Sequence, residues 1–107
     1  MSHKESIEKE IKKHASDYIT REASKLSLIT ITRCEISADD KRAVVFVSVL
    51  PDKAAVIAQE FLKRHQDEIR QYVMKHSKIN RMPWLRFTLD MGEKNRQIVD
   101  ELLAEEK

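Results

Sequence analysis

The stretch IRQYVMKHSKINRMPWLRFTLD, residues 69–90, decides the fold, because it joins a basic amphipathic helix to a strand led by proline. Ile69, Tyr72, Val73 and His76 recur at helical spacing, so one face can pack while Arg70, Lys75 and Lys78 stay in water. Met82 precedes Pro83 and is steered out of helical conformation. Leu85, Phe87 and Leu89 then alternate with Arg86 and Thr88, the period of a strand burying one face. Asp90 and Gly92 mark the turn that follows.

Upstream, Ala54, Ile57, Ala58, Phe61 and Leu62 form a stripe that stays in phase with Ile69 and Val73. The pattern permits one helix of roughly 25 residues, about twice the usual length. A break at His65-Gln66-Asp67 is the other reading: Asp67 would cap a second helix and its free backbone amides would suit a phosphate. Pro51 stops the preceding strand, and Asp52 is the expected N-cap. Before it, LITITRCEIS from Leu28 and RAVVFVSVL from Arg42 read as two strands joined by the polar turn Ala38-Asp39-Asp40-Lys41. The second is apolar on both faces, as a well-covered strand would be.

At the N-terminus Ser2 and Glu5 have capping-box spacing, and Ile7, Ile11, Ala15, Tyr18, Ile19 and Ala23 make a helical stripe. At the other end Ile98, Val99, Leu102 and Leu103 predict a last helix over about residues 93–105. Glu105 and Glu106 oppose its dipole and should fray it. The expected fold is α+β, in the order α-β-β-α-α-β with a C-terminal helix, with a three-stranded sheet covered on one face by helices.

A chain of 107 residues is expected to form one domain, residues 1–107. With 41% hydrophobic and 36% charged residues it reads as a soluble protein with a heavily charged surface. No apolar run approaches the roughly 18–20 residues that span a bilayer, and the first ten residues lack a signal-peptide stretch, so cytoplasmic residence is expected. Cys34 is the only cysteine, which excludes an internal disulfide and a cysteine metal site; a buried structural thiol is its expected role. Net charge is only +2, but residues 53–86 hold eight basic side chains against Glu60, Asp67 and Glu68. Such a local excess can attract a polyanion.

Three segments carry a family resemblance. In ITRCEISADDKRAVVFVSVL from Ile31, Glu35-Ile36-Ser37 and Asp39 match a V-E-x-S-x-D pattern from its glutamate on. Glu68-Ile69-Arg70 sits in the inter-helix region. Arg81 to Asp90 matches R-x-x-P-x-L-x-F-x-x-D from Pro83 on, with Arg81 one residue nearer the proline than the pattern places its arginine. With the helical frame they resemble the ribosome-binding factor A family, built on a type II K-homology-like domain. The resemblance implies a non-enzymatic factor that binds the free small ribosomal subunit and its ribosomal RNA during late maturation, including processing of the RNA 5′ region. K-homology domains that clamp RNA use a Gly-x-x-Gly loop, which this family replaces with an Ala-x-Gly kink. Here His65-Gln66-Asp67 stands at that place, and no glycine precedes Gly92.

Lys63, Arg64, Arg70, Lys75, Lys78 and Arg81 are the expected RNA contacts, since Lys and Arg neutralise phosphates and release counterions; Arg70 ranks first as the arginine of the family-like Ile-Arg pair. Trp84 is a candidate for base stacking, against a role in the core or rim. His14, His65 and His76 have no metal-ligand spacing. A cation gathered by Glu35, Asp39, Asp40 and Asp90 is the enzymatic alternative, but no nucleophile, base or phosphate loop accompanies them. The other alternative is a K-homology-like protein-interaction module without direct RNA binding. An apolar patch around Met82 and Trp84 would favour it, and a continuous positive stripe on the middle helices would favour RNA. No cofactor, metal or small-molecule substrate is expected, and the chain is expected to be a monomer.

Overall fold

The run Arg42–Leu50, apolar in both alternating sets, becomes the central strand of the sheet. The structure, a computed structural model, describes residues 3–23 and 27–104. Its elements are α1 (His3–Glu22), β1 (Leu28–Ile36), β2 (Arg42–Leu50), α2 (Ala55–His76), β3 (Trp84–Leu89) and α3 (Arg96–Ala104), with 3-10 turns at Asp52–Ala54 and Gly92–Asn95. β2 lies between β1, which is antiparallel to it, and β3, which is parallel. Ala43, Val45, Val47 and Val49 enter the main core with the apolar stripes of α1 and α2, whereas Val44 and Phe46 enter a smaller cluster with Val99 of α3. Helices therefore cover one face as expected, and α3 adds a cover on the other.

β1 needs an irregularity to bury its apolar residues. Ile31 and Cys34 are three apart, so strict alternation would send them to opposite faces. The register passes from Ile31 opposite Val47 to Arg33 opposite Phe46, leaving Thr32 as an extra, bulged residue. Cys34 and Ile36 thereby rejoin Ile31 in the main core, and Arg33 is left over the Phe46 ring, 3.8 Å from its centroid. The turn between β1 and β2 is held by Ser37, whose Oγ donates to Asp39 (2.6 Å) and accepts from the Arg42 amide (3.1 Å). Asp40 takes the left-handed conformation there, at φ 62°.

The second helix expected from Asp67 does not form. α2 runs unbroken through His65-Gln66-Asp67, and the order is corrected to α-β-β-α-β-α. Leu62, Ile69 and Val73 are fully buried in one phase, and neither glycine nor proline interrupts them. Tyr18 of α1 pins the same turn, donating to Glu68 (2.8 Å) beside His65 (3.1 Å). Burial and the Glu68 carboxylate push the Tyr18 phenol up to about 12.

Three smaller expectations also change. Asp52 is not a cap: Pro51 holds the N-cap position of the 3-10 turn, and no side chain caps either that turn or α2. Ile57 is 68% exposed, because the phase set by Ala58 and Leu62 turns it outward. His76 is exposed too, stacked on the Tyr72 ring at 4.0 Å. The Ser2 cap and the fraying at Glu105 and Glu106 lie outside the described residues.

A polar seam fastens α3 to the sheet. Arg96 donates to both oxygens of Glu35 (3.0 and 3.2 Å), and Asn95 Nδ2 donates to the Leu89 carbonyl (2.8 Å). Asp90 accepts from Thr32 (2.6 Å) and from the amide of Gly92 (3.1 Å), whose φ of +64° suits glycine. The Thr32 hydroxyl first, then the Gly92 amide and Arg33, hold the Asp90 carboxyl below its ordinary range.

Two outcomes follow for stability. Ile69→Ala should cost about 2–5 kcal/mol in urea denaturation, while Ile57→Ala should stay within about 0.5 kcal/mol. Because the native pKa of Asp90 is lowered, its contribution is fully present above the unfolded carboxyl's value near 4 and is lost as pH falls through the native one. Asp90→Asn should therefore flatten the acid limb of a stability-pH curve; an unchanged limb would mean that Asp90 is not coupled to folding.

Candidate nucleic-acid interface

α2 displays part of the basic excess. Lys63, Arg64 and Lys75 are exposed on it, with Lys63 and Lys75 separated by roughly 18 Å of helix at 1.5 Å per residue. Glu60 and Asp67, also exposed, interrupt them, so this face is a broken row of cations and not a continuous stripe. The unbroken helix also removes the free N-terminal amides that a break at Asp67 would have offered to a phosphate.

Arg70 is placed differently. Its Nε donates to the Pro83 carbonyl (3.0 Å), its Nη2 donates to the Met82 carbonyl (2.8 Å), and its guanidinium lies over the Trp84 ring, 4.0 Å from the centroid. Met82 and Pro83 are buried, and buried carbonyls need partners. Arg70 thus clamps the start of β3 to α2, with two charge-assisted hydrogen bonds and a cation–π contact.

Lys78 and Arg81 meet elsewhere. The connector of residues 77–83, the first turns of α1 and the β1–β2 turn enclose an open groove of about 830 Å³. Lys41 and Arg42 line it along with Lys78, Arg81 and Trp84. Lys41 and Arg42 are not among the candidate contacts read from the sequence, where they are the end of a turn and the start of a strand. What brings them here is the pairing of β2 with β3: the Trp84 amide donates to the Lys41 carbonyl (2.9 Å), and Arg42 stands opposite Trp84 in the register.

The carboxylates suspected of metal binding are dispersed. Glu35 pairs with Arg33 and Arg96, Asp90 with Thr32 and Arg33, Asp39 with Ser37 and Arg42, and Asp40 with Lys4 at 3.1 Å. Among the described residues no three His, Cys, Asp or Glu side chains are placed to hold a metal ion. Cys34 packs against the main core, and burial, with Glu8 and Glu35 adding to it, pushes its thiol up to about 12. No helix among the described residues is long and apolar enough to cross a membrane.

Met82 is buried, at 7% exposure, so the apolar patch around it and Trp84 is not formed; Trp84 is 40% exposed. Val56 and Ile57, at the start of α2, are the more exposed apolar pair.

Comparison with known proteins gives this arrangement its relatives. Residues 3–103 match the model of the family described as ribosome-binding factor A. A ribosome-binding factor A of Fervidobacterium nodosum is 40% identical over 67 residues, which cover 62% of this chain and 54% of that protein's length. The fold is shared with the solution structure of a Thermotoga maritima protein described as a putative ribosome binding factor A. That likeness has a TM-score of 0.70 at 26% identity and covers 84% of this chain and 89% of that one. It is also shared with a homology model of the Thermus thermophilus ribosome binding factor A, fitted into a cryo-electron microscopy map of a complex of that protein with 30S (TM-score 0.66, 19% identity, 83% and 93% covered). The family is one of ribosome-binding factors and not of enzymes, and with nearly its whole length matched, this chain belongs to the ribosome-binding factor A family.

Proposed function

We propose that this chain is a small-subunit assembly factor. It binds the free small ribosomal subunit and its ribosomal RNA during late maturation, including the processing of the RNA 5′ region, as a single-domain, cytoplasmic monomer. The observation that carries this reading is the match of residues 3–103 to a ribosome-binding family. The Thermus relative, which shares the fold, was fitted into a 30S complex. Lys63, Arg64 and Lys75 on the outer face of α2, with Lys78 and Arg81 on the connector, are exposed cations suited to phosphate contact. Arg70 supports them indirectly, by fixing where the connector enters β3.

A second reading, a protein-interaction module without direct RNA contact, is favoured by the exposed Val56 and Ile57 and by the acids that interrupt the basic row. The two differ in salt response. RNA binding through phosphates weakens steeply as salt rises, whereas apolar docking does not.

Co-sedimentation with free small subunits across a salt series tests the reading. Binding should weaken with salt, and Arg64→Glu/Lys75→Glu should release the protein at lower salt while its unfolding midpoint stays close to wild type. Arg70→Ala should behave oppositely, losing about 2 kcal/mol of stability as its hydrogen bonds go. Absence of binding by folded wild type at low salt, with immature and mature subunits alike, would refute the assembly-factor reading.

A further inference from the structure

The groove at the end of the sheet has a charge imbalance that its composition hides. Three acids line it: Asp40 is paired with Lys4 at 3.1 Å and Asp39 with Arg42 at 3.7 Å, while Glu10 is hydrogen-bonded to His14 at 3.0 Å. The exposed cations Lys78 and Arg81 have no acidic partner among the described residues, and Lys41, whose charge acts on Asp39, makes no ion pair within 4.0 Å. They come from the β1–β2 turn and from the connector, so they face one space from two sides. Long cationic side chains left unpaired around a concavity focus a positive potential into it.

Trp84 adds a second kind of surface. Its indole lines the same groove, and the Arg70 guanidinium over the ring fixes its position. Ring and cations together select among polyanions. A paired RNA helix keeps its base faces stacked inside, so it offers phosphates but no base to an aromatic wall. An unpaired segment offers both, and an aromatic ring accepts any base because every base has a π-face. At about 830 Å³ the groove is within the roughly 300–1,000 Å³ of ligand clefts, too small for more than a short segment.

We propose that this groove binds a short single-stranded RNA segment, with its phosphates held by Lys41, Lys78 and Arg81 and one base laid against Trp84. The proposal rests on the ribosomal-RNA reading above and assigns the place at which unpaired RNA is taken. It moves the centre of recognition from the outer face of α2 to the connector and the hairpin turn.

The chain's only tryptophan is Trp84, so its emission reports this groove alone. A short oligouridylate titrated at low salt into the full chain should quench it. Lys78→Glu/Arg81→Glu should weaken binding by at least about tenfold and lower the slope of log affinity against log salt by about 1.4, two contacts at about 0.7 each. Lys41→Ser, which leaves Arg70 and Trp84 untouched, should weaken it less, and circular dichroism checks that each variant is folded. Binding without quenching, equal affinity in the folded double variant, or no binding by wild type would overturn the proposal. So would quenching by a phosphorylated peptide but not by the oligouridylate, which would make the groove a protein-binding one. Co-sedimentation of the same wild-type preparation with small subunits separates the two levels: if it persists while the oligouridylate test fails, only the groove is refuted, and if it is lost as well, the ribosomal reading falls too.

Discussion

The structure depends on the burial of β2 from both sides. A strand that presents Ala43, Val45 and Val47 to one face and Val44 and Phe46 to the other, all fully buried, must be the middle of the sheet and must have cover above and below. One side is covered by α1 and α2, which bring long apolar stripes. The other is covered by the short α3, which buries only Val99 fully and is fastened by the pairing of Arg96 with Glu35 and of Asn95 with the end of β3. The strongly apolar face thus rests on area, and the small face on specific polar contacts. Burying a large aliphatic or aromatic side chain contributes roughly 1.5–3 kcal/mol, against about 0–1 for an exposed ion pair. The α1–α2 face should therefore dominate stability, with α3 as its weaker layer.

The family-like motifs take on physical meaning within this frame. In the first, Ser37 and Asp39 close the turn and Glu35 anchors α3. In the second, Glu68 accepts from Tyr18, Ile69 is fully buried and Arg70 clamps β3. In the third, Pro83 and Leu85 are buried and Asp90 organises the turn before α3. The motif residues mostly hold the fold together, with the exposed Arg81 an exception, while the exposed Lys63, Lys75 and Lys78 lie outside the motifs. Matching the motifs identifies the family and leaves the binding face to be found from the geometry.

Secondary structure was readable in the sequence because periodicity reports burial. The stripes of α1 and α2 and the alternation of β3 emerge where the pattern put them, Ile57, His76 and the helix split at Asp67 aside. Ile57 is apolar but off phase, and composition does not reveal which side of a helix boundary a residue falls on. The bulge at Thr32 was hidden because one extra residue leaves no mark in a β-branched run. Arg70 was misleading for a related reason: an arginine at a helical position reads as solvated unless the carbonyls that it will meet, twelve and thirteen residues on, are known. Lys41 joined the site only through strand pairing, a long-range fact.

The continuity of α2 changes how this chain can hold a phosphate. A broken helix would present backbone amides and a dipole, rigid donors set at close range. A helix that runs through His65-Gln66-Asp67 has those amides bonded internally and places the exposed Asp67 where the opening would have been. The remaining donors are side chains, mobile and strongly hydrated, which attract phosphates over distance but fix them loosely. Such contacts need a shaped surface to gain specificity. Among the described residues, exposed cations, a concavity and an aromatic ring come together where the 77–83 connector faces the hairpin turn. The Arg70 clamp, which takes one cation away from direct phosphate contact, is what sets that connector in place.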